Sequence, residues 1–329
     1  MARLAAVTGA TGFLGRYIVG ALAASGWRLR ILARRAPDHP QLEHIELETI
    51  RGDLSDGHAL RELVEGADAV IHAAALIKAR SAAAFQAVNV DGTANLAEAL
   101  NDCRRASAVL LVSSMAAREP QLSSYARTKR AGEEVLASRL HSRHAWTVVR
   151  PCAIYGPWDR ETLGIFRALA HGIAPRVPAA NARIALLHAD DAARAIAAIC
   201  GRTPAGAILE LADERPEGYA WEEIISAAER ALSVKATAIG VPGAALRIAA
   251  AVNLVTAWAL GRAPMLTPGK AREILHADWG SRADRQPPRE WWRPEIGLEQ
   301  GFRQTANWYR DRRWLSAPRP RRATRGALH

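Results

Sequence analysis

Lysine is nearly absent. The 329-residue chain holds four (Lys78, Lys129, Lys235 and Lys270), and arginine supplies the rest of its 44 basic side chains. A lysine kept in such a composition is a candidate for work that arginine cannot do. Cysteine is also scarce. Cys103, Cys152 and Cys200 are odd in number and far apart. That spacing excludes a disulfide framework and a metal cluster, and it suits a reducing cytoplasm. The opening "MARLAAVTGATG" has no apolar run leading to a small-residue cleavage site. No secretory leader is expected. A long uncharged apolar run is missing as well. "PGAALRIAAAVNLVTAWALG" (242–261) comes nearest, but Arg247, Asn253 and Thr256 interrupt it, and a spanning helix wants about 20 apolar residues. The segment is expected to form a buried or pocket-lining helix. The alternative is an interfacial helix resting weakly on a membrane surface.

Acidic charge falls short of basic charge, for a formal net charge of +11. Much of the excess sits in "RDRRWLSAPRPRRATRGALH", seven Arg against one Asp. This tail has few apolar anchors after Leu315 and is expected to be a mobile, solvated end. With the charge gathered there, no nucleic-acid partner is expected.

The first 150 residues alternate apolar runs with helix-length segments. Strands are expected at 3–9, 27–33, 45–53, 68–74, 107–114 and 145–151, with helices at 12–25, 56–65, 84–102 and 124–140. Such alternation implies βαβ units and a parallel sheet covered on both faces. The expected class is therefore α/β, a Rossmann-type doubly wound sheet with a smaller C-terminal substrate lobe. The expected bounds are 1–155 for the dinucleotide-binding domain and 156–315 for the substrate lobe, with segments returning to the sheet, then a basic tail at 316–329.

"VTGATGFLGRYIVGAL" follows the first strand and opens a helix. Gly9, Gly12 and Gly15 allow a tight turn, a close pyrophosphate and a closely packed helix whose first N–H groups face the phosphates. The second strand ends in "RILARRAPDH". An NAD site usually carries an acidic residue there; Arg34 and Arg35 occupy the place instead. A guanidinium binds a 2′-phosphate in a forked pair. NADP(H) is expected over NAD(H), which stays possible, with Arg34 the leading contact.

"YARTK" falls in a helix, so Tyr125 and Lys129 share a face. A nearby ammonium lowers a phenol's proton affinity, and such a pair can exchange a proton with a carbonyl or alcohol. Ser114, at the end of the preceding strand, can hydrogen-bond the same substrate oxygen.

The glycine loop, "GDL", "HAAA", "VNVDGT", "SS", "YARTK", "RPCAIYGP" and "LLHADDAARAI" occur in one order. Together they resemble the extended short-chain dehydrogenase/reductases, the NAD(P)-dependent epimerase/dehydratase family. The resemblance runs from about residue 3 to 200 and weakens toward 315. It implies a strand order of 3-2-1-4-5-6-7 and a catalytic trio of Ser114, Tyr125 and Lys129. It implies that Gly9, Thr11, Gly12, Phe13, Leu14 and Gly15 hold the pyrophosphate and that Asp53 and Leu54 meet the adenine. Ala73, Ala74 and Ala75 would line the cofactor, Asn89 would sit by an active-site water or helix backbone, and Pro151 to Ile154 would pack near the nicotinamide. Lys129 would also reach the nicotinamide ribose. A homodimer through the helices at 84–102 and 124–140 is implied too.

Ser114 and Tyr125 are only 11 residues apart, no tyrosine follows the paired serines, and Cys152 and Ala153 stand where nucleotide-sugar enzymes often present an asparagine. The 242–261 segment and "MLTPGKAREILHADW" look more like the hydroxysteroid dehydrogenase and dihydroflavonol reductase branch. The expected activity is hydride transfer between a nicotinamide cofactor and a carbonyl or alcohol on a moderately apolar small molecule. The alternatives are a nucleotide-sugar epimerase or dehydratase with retained NAD, and a non-catalytic NAD(P)-binding scaffold.

Overall fold

The computed structural model describes residues 2–176, 181–260, 264 and 266–315. The expected tail at 316–329 lies outside them. β1 (Leu4–Thr8) is buried throughout, and α1 (Phe13–Ala24) follows it directly. The chain continues through β2 (Arg28–Ala33), β3 (Glu48–Arg51), α2 (Gly57–Val64) and β4 (Ala69–His72). Then come α3 (Ala82–Gln86), α4 (Gly92–Asp102), β5 (Ala108–Val112), α5 (Ser124–Arg139) and β6 (Ala145–Pro151). The expected helix over 84–102 is divided. A single π turn at Ala87–Asp91 separates α3 from α4 and places Asn89 inside the protein.

After β6 the chain forms β7 (Ala153–Tyr155), α6 (Leu163–Ala170), β8 (Ile173–Arg176), β9 (Arg183–Ile184), β10 (Leu186–His188) and α7 (Ala189–Cys200). β11 (Ala207–Leu211) then returns to the main sheet. α8 (Trp221–Leu232), β12 (Thr237–Gly240), α9 (Gly243–Ala259), α10 (Pro268–Leu275), β13 (Asp278–Trp279) and α11 (Leu298–Asp311) complete the chain.

Seven parallel strands form the sheet in the order β3-β2-β1-β4-β5-β6-β11. This is the expected order, with β11 as the seventh strand. Apolar side chains leave the sheet on both sides, as parallel strands require. One core lies against α1 and α7 and includes Val7, Ile18, Ile31 and Ile196. The other lies toward α2, α4 and α5 and includes Leu60, Val70, Leu96 and Val148. A third core gathers α6, α8 and α11 around Tyr155, Phe166, Phe302 and Tyr309. Three short parallel pairs, β10-β7, β12-β8 and β13-β9, belong to this later part of the chain.

Candidate active site

The carboxyl ends of β1, β4, β5 and β6 form one rim. At the β1 end, Gly9 has φ +75°, and a Cβ there would lie 2.5 Å from the backbone nitrogen of Ala74. A Cβ on Gly15 would collide with the Gly9 carbonyl oxygen. The loop from β1 is thus pressed against the loop from β4 and against the start of α1. Thr11 and Gly12 remain exposed, Phe13 and Leu14 half-buried, and no carboxylate stands in the first turn of α1. This is a cradle of backbone N–H groups that fits a dinucleotide pyrophosphate. Ala73 and Ala74 are tied to it, their N–H groups donating to the Thr8 carbonyl (3.2 Å) and the Thr8 hydroxyl (3.3 Å). Ala75 continues that edge, half-buried.

Arg34 and Arg35 are exposed just past β2. The Arg34 charge reaches Asp53, whose carboxyl is held below its ordinary range first by Ser55 hydrogen bonds and then by this guanidinium. No contact connects Arg35 to the rim. Leu54 is buried in the core, and its neighbour Asp53 is exposed and accepts from Ser55 N at 2.8 Å. Pro151 ends β6 buried, and Ile154 is half-buried on β7.

The catalytic candidates stand on α5 and on the end of β5. Ser123 caps α5, its hydroxyl accepting from Ala126 N at 2.9 Å. Tyr125 and Lys129 lie one turn apart, as the sequence spacing implies. Tyr125 is half-buried, its ring tilted against Phe85 at 6.3 Å. Burial pushes its phenol up to about 12; the Ser114 hydroxyl acts downward and the Glu273 carboxylate upward. The expected lowering by Lys129 is therefore not what dominates. The Lys129 ammonium is 6% exposed and donates to the Val112 carbonyl at 2.8 Å. Burial brings it down to about 8, against an upward pull from Glu133. Desolvation is the largest cause of both shifts. The result is a neutral phenol able to donate a proton, beside a buried ammonium.

Ser114 caps the short turn Met115–Arg118, accepting from Ala116 N at 3.2 Å. Its partner Ser113 turns inward and donates to Glu133. Glu133 accepts a forked pair from Arg150, at 2.9 Å from Nε and 2.6 Å from Nη2. Both are nearly inaccessible, at 4% and 6% exposure. This ion pair fastens α5 to β6. It was not foreseen, although Glu133 follows Lys129 by one turn and Arg150 precedes Pro151. Asn89 braces the other side, its amide donating to Leu76 O (3.1 Å) and Thr128 Oγ1 (3.1 Å) and accepting from Leu76 N (2.8 Å). Those contacts tie the π turn to the loop after β4 and to the Thr128 side chain on α5.

His72 is a structural bridge. Its ring nitrogens lie 2.7 Å from Thr8 Oγ1 and 3.0 Å from Thr93 Oγ1, and burial lowers it to about 3. Cys152 is buried and its thiol is pushed well above its ordinary value, first by burial. It is no nucleophile at neutral pH. No group of metal-ligating side chains occurs among the described residues.

Comparison with known proteins gives the family and the fold. The profile of the NAD dependent epimerase/dehydratase family matches residues 5–212. A ceramide reductase of Caulobacter vibrioides is 45% identical over 313 residues, spanning 94% of this chain and 95% of the relative. The sterol demethylase protein B of Methylococcus capsulatus is 34% identical over 190 residues, 50% of this chain and 57% of the relative. Among solved structures, a dTDP-glucose 4,6-dehydratase of Streptomyces venezuelae with NAD bound superposes with a TM-score of 0.73 at 21% identity, over 96% of this chain and all of that one.

Proposed function

Because the chain belongs to the NAD-dependent epimerase/dehydratase family and is an NAD(P)-dependent oxidoreductase, we propose that it reduces a ketone carried by a ceramide-class lipid, with NADPH as donor. The observation that carries the acid/base chemistry is the neutral Tyr125 phenol within hydrogen-bond reach of Ser114, and the reductive direction is supported by the reductase relative. The lipid class is supported by the 45% identical ceramide reductase, which aligns over nearly the whole of both chains.

A bound nicotinamide supplies the hydride. The chain's own residues do the rest. Ser114 and Tyr125 converge on the carbonyl oxygen, and Tyr125 gives it a proton as charge develops there. Lys129 holds a positive charge behind the phenol as the proton leaves and reaches the nicotinamide ribose. The Gly9–Gly15 loop holds the pyrophosphate, Ala73 to Ala75, Pro151 and Ile154 line the cofactor, and Asp53 faces the adenine, with Leu54 anchoring that turn in the core. Arg34, with Arg35 behind it, accepts a 2′-phosphate. In this reading residues 1–155 hold the cofactor and 156–315 the substrate. The enzyme works in the cytoplasm as a homodimer through α4 and α5.

The test is NADPH oxidation with a ketone of a ceramide-class lipid in detergent, in the wild type and in Tyr125→Phe. Removing the proton donor should lower the rate by about 10²- to 10⁴-fold while NADPH still quenches protein fluorescence. A Tyr125→Phe enzyme as fast as the wild type would remove the assignment.

A further inference from the structure

The segment expected to be buried is exposed. Ile248, Val252, Leu254 and Val255 on α9 are 65%, 57%, 38% and 65% exposed, and Leu260 just beyond is 68% exposed. Residues 248, 252 and 255 fall at i, i+4 and i+7, so they form one stripe along the helix. The opposite side carries the packing: Ala250 and Ala257 are buried, and Asn253 accepts from Leu266 N at 3.0 Å. α9 thus turns an apolar stripe away from the protein. The strand pair that leads into it adds Ile173 (43%) and Ile239 (47%).

Charge says what covers such a face. From Arg230 to Arg272 the chain has no Asp or Glu; Arg230 and Lys270 pair with Glu299 and Glu273 outside that stretch, which leaves Lys235, Arg247, Arg262 and Arg272 as its further cations. An apolar stripe and an excess of cations over acids are the two attractions that hold an interfacial helix on an anionic bilayer. No helix among the described residues is long and apolar enough to cross a membrane, so the fit is to the surface. Position agrees. α10 packs against α9 and holds the loop that enters the catalytic helix. Arg272 Nε donates to Leu122 O at 2.8 Å, and the buried Glu273 carboxylate accepts from the capping Ser123 hydroxyl.

We propose that α9 is a membrane-docking helix that sets the substrate lobe on an anionic lipid surface, with the Ile248–Val252–Val255 stripe in the acyl boundary, so that a lipid substrate passes to Tyr125 without crossing water. This deepens the lipid-ketone reading and rests on it for the substrate.

The experiment is sedimentation of the full chain with phosphatidylcholine vesicles made with and without phosphatidylglycerol. The wild type should bind the anionic vesicles, less as salt rises. Ile248→Asp/Val255→Asp should bind roughly tenfold more weakly or worse. Both positions are exposed, so the variant should melt like the wild type and keep its rate on a water-soluble short-chain ketone analogue. Its rate should fall only on substrate held in vesicles. A wild type indifferent to anionic vesicles, or a variant that still binds them, would overturn the docking. So would a variant that changes only its oligomeric state, because a second copy would then cover the stripe. Vesicle binding that is lost in the variant, with no ketone turned over by either form, would uphold the docking and remove the catalytic reading instead.

Discussion

Lys129 is a residue held against its own solvation. A lysine free in the unfolded chain titrates near 10.5, and here burial brings it to about 8. Between those values the unfolded chain binds more protons than the folded one, so folding stability rises with pH across about 8 to 10.5 and is lowest below that window. Lys129→Met should therefore flatten that rise in thermal unfolding scans, while costing about 10²-fold or more in turnover. The same value gives catalysis a pH limit: reduction should decline as pH rises past about 8, where the ammonium is lost. Tyr125 stays protonated throughout, so no earlier limb belongs to it. A plateau to pH 10 in the rate profile would contradict this. The Tyr-x-x-x-Lys spacing was readable because a helix fixes it. The sense of the phenol's shift was not, because burial is set by what the rest of the chain packs around it.

At the scale of elements, the Glu133–Arg150 pair joins α5 to β6 inside the protein. Glu133→Gln would leave a buried guanidinium without its counter-charge, and such a break costs about 3–5 kcal/mol. Urea unfolding should show that loss. A double change of Glu133 and Arg150 to Met should recover much of it. Partners separated by 17 residues and buried on opposite sides of a helix–strand contact leave only a weak trace in sequence. The π turn at Ala87–Asp91 is another such case: it inserts one residue into a helix without a composition of its own. The parallel sheet was legible in the apolar runs and intervening helices, whereas its strand order came with the family resemblance. α9 misled for a definite reason. Apolar composition predicts burial only when something is there to bury against, and its stripe points outward.

For the whole molecule, the cofactor should be felt as stability. A ligand at 100 times its dissociation constant adds about 2.7 kcal/mol to the folded state. NADPH should therefore raise the melting temperature by several degrees, and NADH at the same concentration by less. Arg34→Asp should reverse that order. Equal shifts for the two cofactors in the wild type would count against Arg34 as the discriminating contact.

β11 has a consequence for how the chain is made. It closes the sheet beside β6, which ends at Pro151, yet it spans Ala207–Leu211 and leaves a ribosome only after α6 and α7. Until then β6 is an open edge, with Val148 and Val149 paired to β5 on one side only, and α1 lacks the cover that α7 gives it. Such an edge invites pairing with other chains. The dinucleotide half is therefore complete only once residue 211 has emerged. A chain stopped at residue 155 should collect as aggregate, whereas one reaching past β11 has the means to close its own sheet.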